Sequence, residues 1–441
     1  MKHISTRILL VCLSLGIASC EGFLDQKPNK ALLVPESVSE YEAMIDNFDR
    51  INLTPVLPFI YADDYWTTES NWNNFDPWIQ NAYKWSSDPY LPADIPLDFA
   101  FLYRKIFTAN VIIDKLSENP NWTMDDINRL RAKALFWRAH GYFELAVLFL
   151  PIPEKPGDSD EFKIPYKATG AFGTPTQWVT AGEIYPLILA DLEGAVSLLP
   201  EKTEYPTQPS RFAGHALLAR INLYLGNYDD ALFHATQVLG GNFSLMDYSK
   251  LNMQAPFPVS IFNSETVFFS NMAAMSTVSG NNVAFVNPEV VSSFSGNDLR
   301  AGFLVKNVGG NTYFKGSYIS RQDVFTGIAL DEILLILAEA NIRIGDIGEG
   351  LVQLNELLKS RIKDFVPLDS EDSIVAMDWV LDARRKSLMF RGQRWADLKR
   401  LSVLDYPVQT LTRKVGEETI SLVLNQENMI AKVPQREFDL Q

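Results

Sequence analysis

Cysteine is nearly absent from this chain: among 441 residues only Cys12 and Cys20 occur. Both fall within the first twenty positions, so neither a disulfide framework nor a thiolate metal site can be built in the rest of the chain. A surplus of positive charge is lacking too. The 39 Lys and Arg are outnumbered by 54 Asp and Glu, for a formal charge of -15. That excludes a nucleic-acid partner, which needs a basic face to displace counterions. No run of about eighteen apolar residues is present, so no segment reads as a membrane-spanning helix. His-Glu-x-x-His, Walker, Gly-x-Ser-x-Gly and EF-hand signatures are missing as well, and with them the recognisable routes to metal or nucleophilic catalysis. What is present is apolar surface. A content of 47% hydrophobic and 12% aromatic residues is ample for a packed core and excludes a mostly disordered chain.

The start of the chain reads as an address. Lys2 and Arg7 precede Ile8–Ala18, an apolar core of about eleven residues, which suits a signal peptide and is too short to span a bilayer. Ile17-Ala18-Ser19-Cys20 resembles a bacterial lipobox. The expectation is cleavage before Cys20 and acylation of that residue, several acyl chains giving a stable anchor where one binds only marginally. Loss of Lys2 and Arg7 would take the charge from -15 to -17.

Beyond a tether at residues 21–28, apolar periodicity predicts helices near Ser37–Asn47, Asp98–Leu116, Asp125–Leu150, Thr176–Leu199, Ala329–Arg343 and Trp379–Leu401. Pro151 and Pro200 close two of them. Leu223-Tyr-Leu-Gly-Asn-Tyr-Asp-Asp-Ala231 matches the turn of a tetratricopeptide repeat: Gly226 permits a tight turn, Tyr228 fills the groove between helices and Ala231 lets them approach. A weaker copy lies at Ile344–Gly350. Gly226 and Gly345 are 119 residues apart, not a multiple of the repeat of about 34 residues, so insertions interrupt the array. Between the copies, residues 245–325 are rich in Asn, Ser, Gly and Phe, with short β-like runs such as Glu265–Phe269 and no long helix. So long an irregular stretch is usually functional.

Residues 59–90 carry the binding argument. They hold ten aromatics in 32 positions, against 12% in the whole chain. The spacing of Trp66, Trp72, Trp78 and Trp85 fits neither helix nor strand. Asp63, Asp64, Asn71, Asn73, Asn74 and Asp76 are interleaved with the rings. Sugars present apolar CH faces rimmed by hydroxyls, which flat rings and short polar side chains suit. The competing reading is that the rings pin a long loop to a helical scaffold. Trp66, Trp72 and Trp85, with Asp64 and Asn73, are the candidate ligand-binding residues. Trp78, between Pro77 and Ile79, is assigned to packing. Tyr313, with Tyr318 beside it in the glycine-rich loop Gly309–Ser320, is a further candidate. No catalytic residue is assigned. Asp63-Asp64 is the only suggestive carboxylate pair, and neighbours on one strand point to opposite faces. No cofactor or metal is expected, and His140, His215 and His234 are read as packing or surface residues of helices.

Several segments, in order along nearly the whole chain, resemble the SusD/RagB family of outer-membrane nutrient-binding lipoproteins of Bacteroidetes. They are Cys20-Glu-Gly-Phe-Leu-Asp25 with Pro28; Arg131–Ala139 running into Tyr142-Phe-Glu-Leu145; Asp298-Leu-Arg300 after Pro288–Phe294; Glu332–Ala340; and Arg384-Arg385 with Phe390, Gly392, Arg394-Trp395 and Asp397-Leu398. Where the family commonly has Glu in the last motif, this chain has Ala383, Ser387 and Arg391, which puts local salt bridges in question. The resemblance implies a mostly α fold: four interrupted tetratricopeptide-like helix pairs as scaffold, with long inserted loops and few short strands. It divides the chain into a leader at 1–19, an N-terminal region at 20–250 containing the aromatic loop, and a C-terminal region at 251–441 with a loop-rich insert at 251–325. It implies a non-enzymatic protein, lipid-anchored to the outer membrane and facing the exterior, that captures oligosaccharide or polysaccharide for a SusC-like TonB-dependent barrel. A RagB-like peptide binder is the alternative; a glycoside hydrolase or a bare interaction scaffold ranks lower. Asp298 with Arg300, and Arg394, Trp395 and Asp397, are expected to fix loops and helices, not to touch ligand.

Overall fold

The computed structural model describes residues 35–439 apart from 120, 154–160, 172, 274–282, 322 and 405–408. Cys20, the lipobox and the tether lie outside the described residues. The chain divides into two units, Met1–Tyr41 and Glu42–Gln441, and all that follows concerns the second.

The aromatic segment is not one element. It breaks into α1 (Leu57–Tyr61), a two-residue strand β1 (Tyr65–Trp66), α2 (Glu69–Asn73) and α3 (Pro77–Tyr83). Pro58 and Pro77 stand in the first turns of α1 and α3, where a missing N–H costs nothing. The Thr68 hydroxyl caps α2 by accepting the Asn71 N–H at 3.1 Å. The buried carboxylate of Asp98 caps α1 from outside, accepting the N–H groups of Val56 and Leu57 at 2.8 Å each.

The scaffold is helical: α4 (Leu97–Lys115), α5 (Met124–Phe149), α6 (Ala181–Leu198), α7 (Arg211–Leu225), α8 (Tyr228–Val238), α9 (Leu330–Ile344), α10 (Ile347–Lys359), α11 (Ser373–Ser387) and α12 (Arg394–Leu401). From α4 to α10 each helix packs on the next, and α9 also packs on α11. Capping boxes start α5 (Thr123 with Asp126) and α6 (Thr180 with Glu183). Gly226 and Gly345, at φ 78° and 99°, end α7 and α9 in the left-handed conformation that lets the next helix fold back. Both helix hairpins expected at these glycines therefore form. Ala231 is fully buried, and the Arg343 guanidinium lies 5.6 Å from the Tyr228 ring centroid.

Two sequence expectations need correction. The helix drawn through Trp379–Leu401 is two helices, α11 and α12. Phe390 and Gly392 break it with positive φ of 59° and 74°, and the break drives the Phe390 ring between Phe59 and Phe314, at centroid distances of 5.2 and 4.6 Å. Gly309–Ser320 is not wholly a loop. Its first half belongs to a hairpin of the strands Val305–Val308 and Asn311–Phe314, turning at Gly309-Gly310.

The strand β2 (Phe285–Val286), with β3 (Val305–Val308) and β4 (Asn311–Phe314), joins β1 in an antiparallel sheet of order β1-β2-β4-β3. Near the C-terminus β5 (Thr410–Val415) and β6 (Glu418–Val423) form a separate hairpin turning at Gly416, φ 58°.

Buried ion pairs tie loops to helices. Arg300 clasps Asp298 at 2.7 Å and donates to the Ser387 hydroxyl at 3.0 Å. Arg391 has its own partner in Asp331 at 2.7 Å. Arg361–Glu265 and Arg220–Glu332 are equally buried, at 2.7 and 2.8 Å. Forming such pairs gives little net stability, but removing one partner costs about 3–5 kcal/mol.

Candidate functional site

The register of the sheet builds the site. Trp66 lies opposite Phe285, Phe285 opposite Tyr313 and Tyr313 opposite Lys306. The rings form a ladder, Trp66–Phe285 at 4.7 Å and Phe285–Tyr313 at 5.1 Å. Side chains of successive strand residues point to opposite faces. Tyr65 accordingly turns inward against Phe59 and Tyr83, while Trp66, half-buried, ends the ladder at the rim of a groove of about 560 Å³. The groove runs between β1 with the first turn of α2, the start of the short helix Pro288–Ser293 with its cap Asn287, and β5. Asn287 fixes its corner: it donates from its side chain to the Asp63 carbonyl at 2.9 Å and from its backbone to the Asp64 carbonyl at 2.8 Å. Thr68, Glu69, Glu289, Thr410, Thr412 and Lys414 present hydroxyl, carboxylate and ammonium groups along the walls.

Arg413 anchors β5. It is buried and donates to the carbonyls of Tyr83 and Ile60 at 2.8 and 2.7 Å, and also to that of Ala62. Its guanidinium lies 4.3 Å from the Trp85 ring centroid and 4.5 Å from that of Tyr83. A cation out of water is held here by carbonyl dipoles and ring faces.

Asp63 and Asp64, the neighbouring acids, have opposite characters. Asp63 accepts from Arg394 at 2.6 and 2.9 Å and from Arg385 at 2.9 Å. Burial alone would raise its pKa, but the charge and hydrogen bonds of Arg394, with the charge of Arg385, hold it well below the usual carboxylate range. Asp64 stands 3.8 Å from the Arg385 Nε and is raised to about 6 by burial and then by the charge of Asp63. Asp63 is committed to both arginines and Asp64 is buried beside it, which makes a clamp between α11, α12 and the aromatic segment and not an acid–base pair.

Of the six ligand-binding candidates read from sequence, Trp66 lines the groove. Trp85 must be reassigned to packing: it is 7% exposed, its indole N–H donates to the Tyr61 carbonyl at 2.8 Å and its face seats Arg413. Asp64, at 2% exposed, is likewise inside the clamp. Tyr313 is 7% exposed and acts as the third rung of the ladder behind Trp66. Trp72, half-buried on α2, has Lys84 Nζ 4.9 Å above its ring, and that lysine is paired to Glu418 at 2.8 Å. Asn73 is exposed on α2 away from the groove wall. Trp78 is buried against Tyr90 as its context suggested. Tyr318 is a buried hub whose hydroxyl bonds Glu265 at 2.6 Å and Asp331 at 3.1 Å. Sequence reasoning missed Thr68, Glu69, Glu289 and the whole of β5. A signal for the last exists in the alternation Leu411, Arg413, Val415 before Gly416-Glu417, a short turn between alternating runs. Among the described residues no group of three or more His, Cys, Asp or Glu side chains converges as a metal cage.

Comparison with known proteins shows what the chain is similar to. Residues 22–223 match a family model, SusD-like_3, described as starch-binding and associating with the outer membrane. The fold matches a SusD superfamily protein from Bacteroides thetaiotaomicron with a TM-score of 0.74 at 20% identity, over 92% of this chain and 98% of that one. It matches another from Bacteroides fragilis at 0.73 and 19%, over 92% and 98%, and a laminarin-binding SusD-like protein at 0.64 and 18%, over 92% and 96%. No curated protein is significantly similar. Residues 22–223 are thus similar to the SusD-like family, and the fold over most of the chain is that of SusD superfamily structures.

Proposed function

We propose that this chain is a cell-surface lipoprotein, anchored through Cys20, that binds a glycan in the groove beside Trp66 and passes it to a SusC-like TonB-dependent barrel. The observation carrying the reading is the half-buried Trp66 ring at the rim of a groove whose walls are Thr, Glu and Lys side chains. A sugar stacks one CH face on such a ring and spends its hydroxyls on the surrounding polar groups. The family description and the laminarin-binding relative support the same ligand class. Catalysis is not part of the proposal, since in the Asp63-Asp64 pair Asp63 is held by Arg385 and Arg394 and Asp64 is buried beside it.

One observation favours a peptide as second reading. The strand β5 pairs only with β6 among the described strands, and its residues 410–414 line the groove, so its free edge could accept an extended chain. Glycan arrays and peptide pools applied to purified, unlipidated protein distinguish the two. Glycan capture that is lost in Trp66→Ala supports the proposal, and peptide capture with silent glycan arrays replaces it. A native-level pull-down that recovers no outer-membrane barrel would remove the delivery step.

A further inference from the structure

The free edge of β5 also bears on which glycan the groove takes. Thr410, Leu411, Thr412, Arg413 and Lys414 all line the groove, although Leu411 and Arg413 are buried and the other three exposed. A groove that touches both alternating sets runs along the edge of the strand and not over one face. The Leu424 N–H donates to the Gln409 carbonyl at 2.9 Å. In the register that pairs Thr410 with Val423, that bond makes Leu411, Arg413 and Val415 the residues bonded to β6. The N–H and C=O groups of Thr410, Thr412 and Lys414 therefore point away from β6, on the groove side. The opposite wall repeats the arrangement. The strand β1 ends its sheet, and Tyr65 lines the groove. The Asn287 N–H bonds the Asp64 carbonyl, and in the register that pairs Tyr65 with Val286 this turns the N–H and C=O of Tyr65 away from β2. None of these outward groups has a backbone partner among the described residues.

Two unpaired strand edges beside one outward ring suit a ligand that joins an amide to a sugar face. We propose that the groove takes glycans bearing N-acetylhexosamine, with a CH face on Trp66 and the acetamido group between the two edges. The N–H and C=O of a trans amide point in opposite directions, so each amide of a middle strand accepts from one neighbour and donates to the other. The acetamido group does the same here: its C=O accepts from an N–H of β5, and its N–H donates to the Tyr65 carbonyl. A plain hexose has no such amide. A carboxylate or sulfate only accepts, so it leaves the edge carbonyls unpaired and meets the exposed Glu69 and Glu289 on the same walls. A peptide brings amides but no saturated ring face for Trp66. The inference rests on the glycan reading of the groove and narrows it to one substituent.

The probes are pairs of glycans that differ only by an acetamido or a hydroxyl group at carbon 2: chitotetraose with cellotetraose, then the methyl glycosides of N-acetylgalactosamine and galactose. In at least one pair the acetamido member should bind about tenfold more tightly, as two added hydrogen bonds allow. Trp66→Ala should weaken both members. Thr412→Pro deletes one edge N–H on the side away from β6, where a strand tolerates proline, and should reduce the preference about three- to tenfold. Amide-resolved spectra of the unaltered protein give a readout that does not depend on how that variant folds: the Thr410, Thr412 and Lys414 N–H signals should move with the acetamido sugar. Equal binding within both pairs, lost in Trp66→Ala, would overturn the inference and leave glycan capture standing. Silence of both acetamido members, or edge signals that stay in place while one of them binds, would overturn it as well. Peptide capture with no glycan bound would remove this inference and the glycan reading together.

Discussion

Trp66 and Trp85 come from one aromatic segment, in similar company of Tyr, Asp and Asn, and they have opposite fates. Trp66 ends a cross-strand ladder and leaves part of its ring at a groove. Trp85, at a positive φ of 57°, turns into the protein and lies against Arg413, a residue 328 positions later in the chain. The difference is made by partners and not by composition. A strand alternation turns Trp66 outward, and a cation delivered by a remote hairpin turns Trp85 into its seat. The two residues therefore separate what a single alanine scan of the segment would mix, ligand contact and fold.

The largest effect expected from this contrast is at the remote cation. Replacing Arg413 with Met removes the donors to the carbonyls of Tyr83, Ile60 and Ala62 and leaves them buried. With each unmade buried hydrogen bond costing about 1–3 kcal/mol, a loss of about 3–5 kcal/mol is expected. Urea denaturation reads it directly. Glycan affinity should survive in the fraction that remains folded, reduced only as far as β5 shifts. An Arg413→Met variant as stable as the parent would mean that Trp85 is held by something else, and the contrast would collapse.

Next in size is the groove ring itself. Trp66→Ala should weaken glycan binding about tenfold, from a stacking contribution on the order of 1–2 kcal/mol. Its effect on melting should be well below that of Trp85→Ala, which cuts a buried indole from its hydrogen bond and its cation. Calorimetric binding and melting on the same two variants give a crossed pattern: affinity lost in one, stability lost in the other. Parallel losses in both would show that Trp66 is a packing residue too. Trp72→Ala belongs with neither, because Lys84 covers its ring, and should leave affinity within about twofold.

Much of this was legible in the chain and some could not have been. The long helices show their apolar period, and Gly226 and Gly345 announce their turns, because both signals are local. The aromatic segment is equally visible as a composition. Which ring faces out was not, since Trp66 owes its position to pairing with Phe285 and Trp85 owes its burial to Arg413. Both are contacts across more than two hundred residues. The Trp379–Leu401 helix was overdrawn for a related reason. The pattern stays helical through Phe390, and only the pocket between Phe59 and Phe314 explains why the backbone leaves the helix there. Asp298-Leu-Arg300 was read correctly as a loop clasp because its two partners are neighbours in sequence.

The smallest effect concerns the joint between the two regions, where Asp63 and Asp64 meet Arg385 and Arg394. Their opposite pKa directions give opposite dependences on pH. Asp63, held below its ordinary value, contributes stability that is present above about pH 4 and fades as the pH falls further. Asp64, raised to about 6, does the reverse. Its protonated form suits the folded state, so its contribution is full below its ordinary value of 3.8 and is lost as the pH climbs through about 6. Asn keeps an oxygen for the Phe390 N–H that Asp64 accepts and cannot ionise. Asp64→Asn should therefore be more stable than the parent at pH 8, by on the order of 1 kcal/mol, with the advantage vanishing near pH 4. Paired urea curves at the two pH values measure it. A variant less stable than the parent at pH 8 would show that the 3.8 Å approach of Arg385 to Asp64 is a working ion pair. Arg385 would then need both acids, and the joint would be a two-carboxylate clamp instead of one charged acid beside a neutral one.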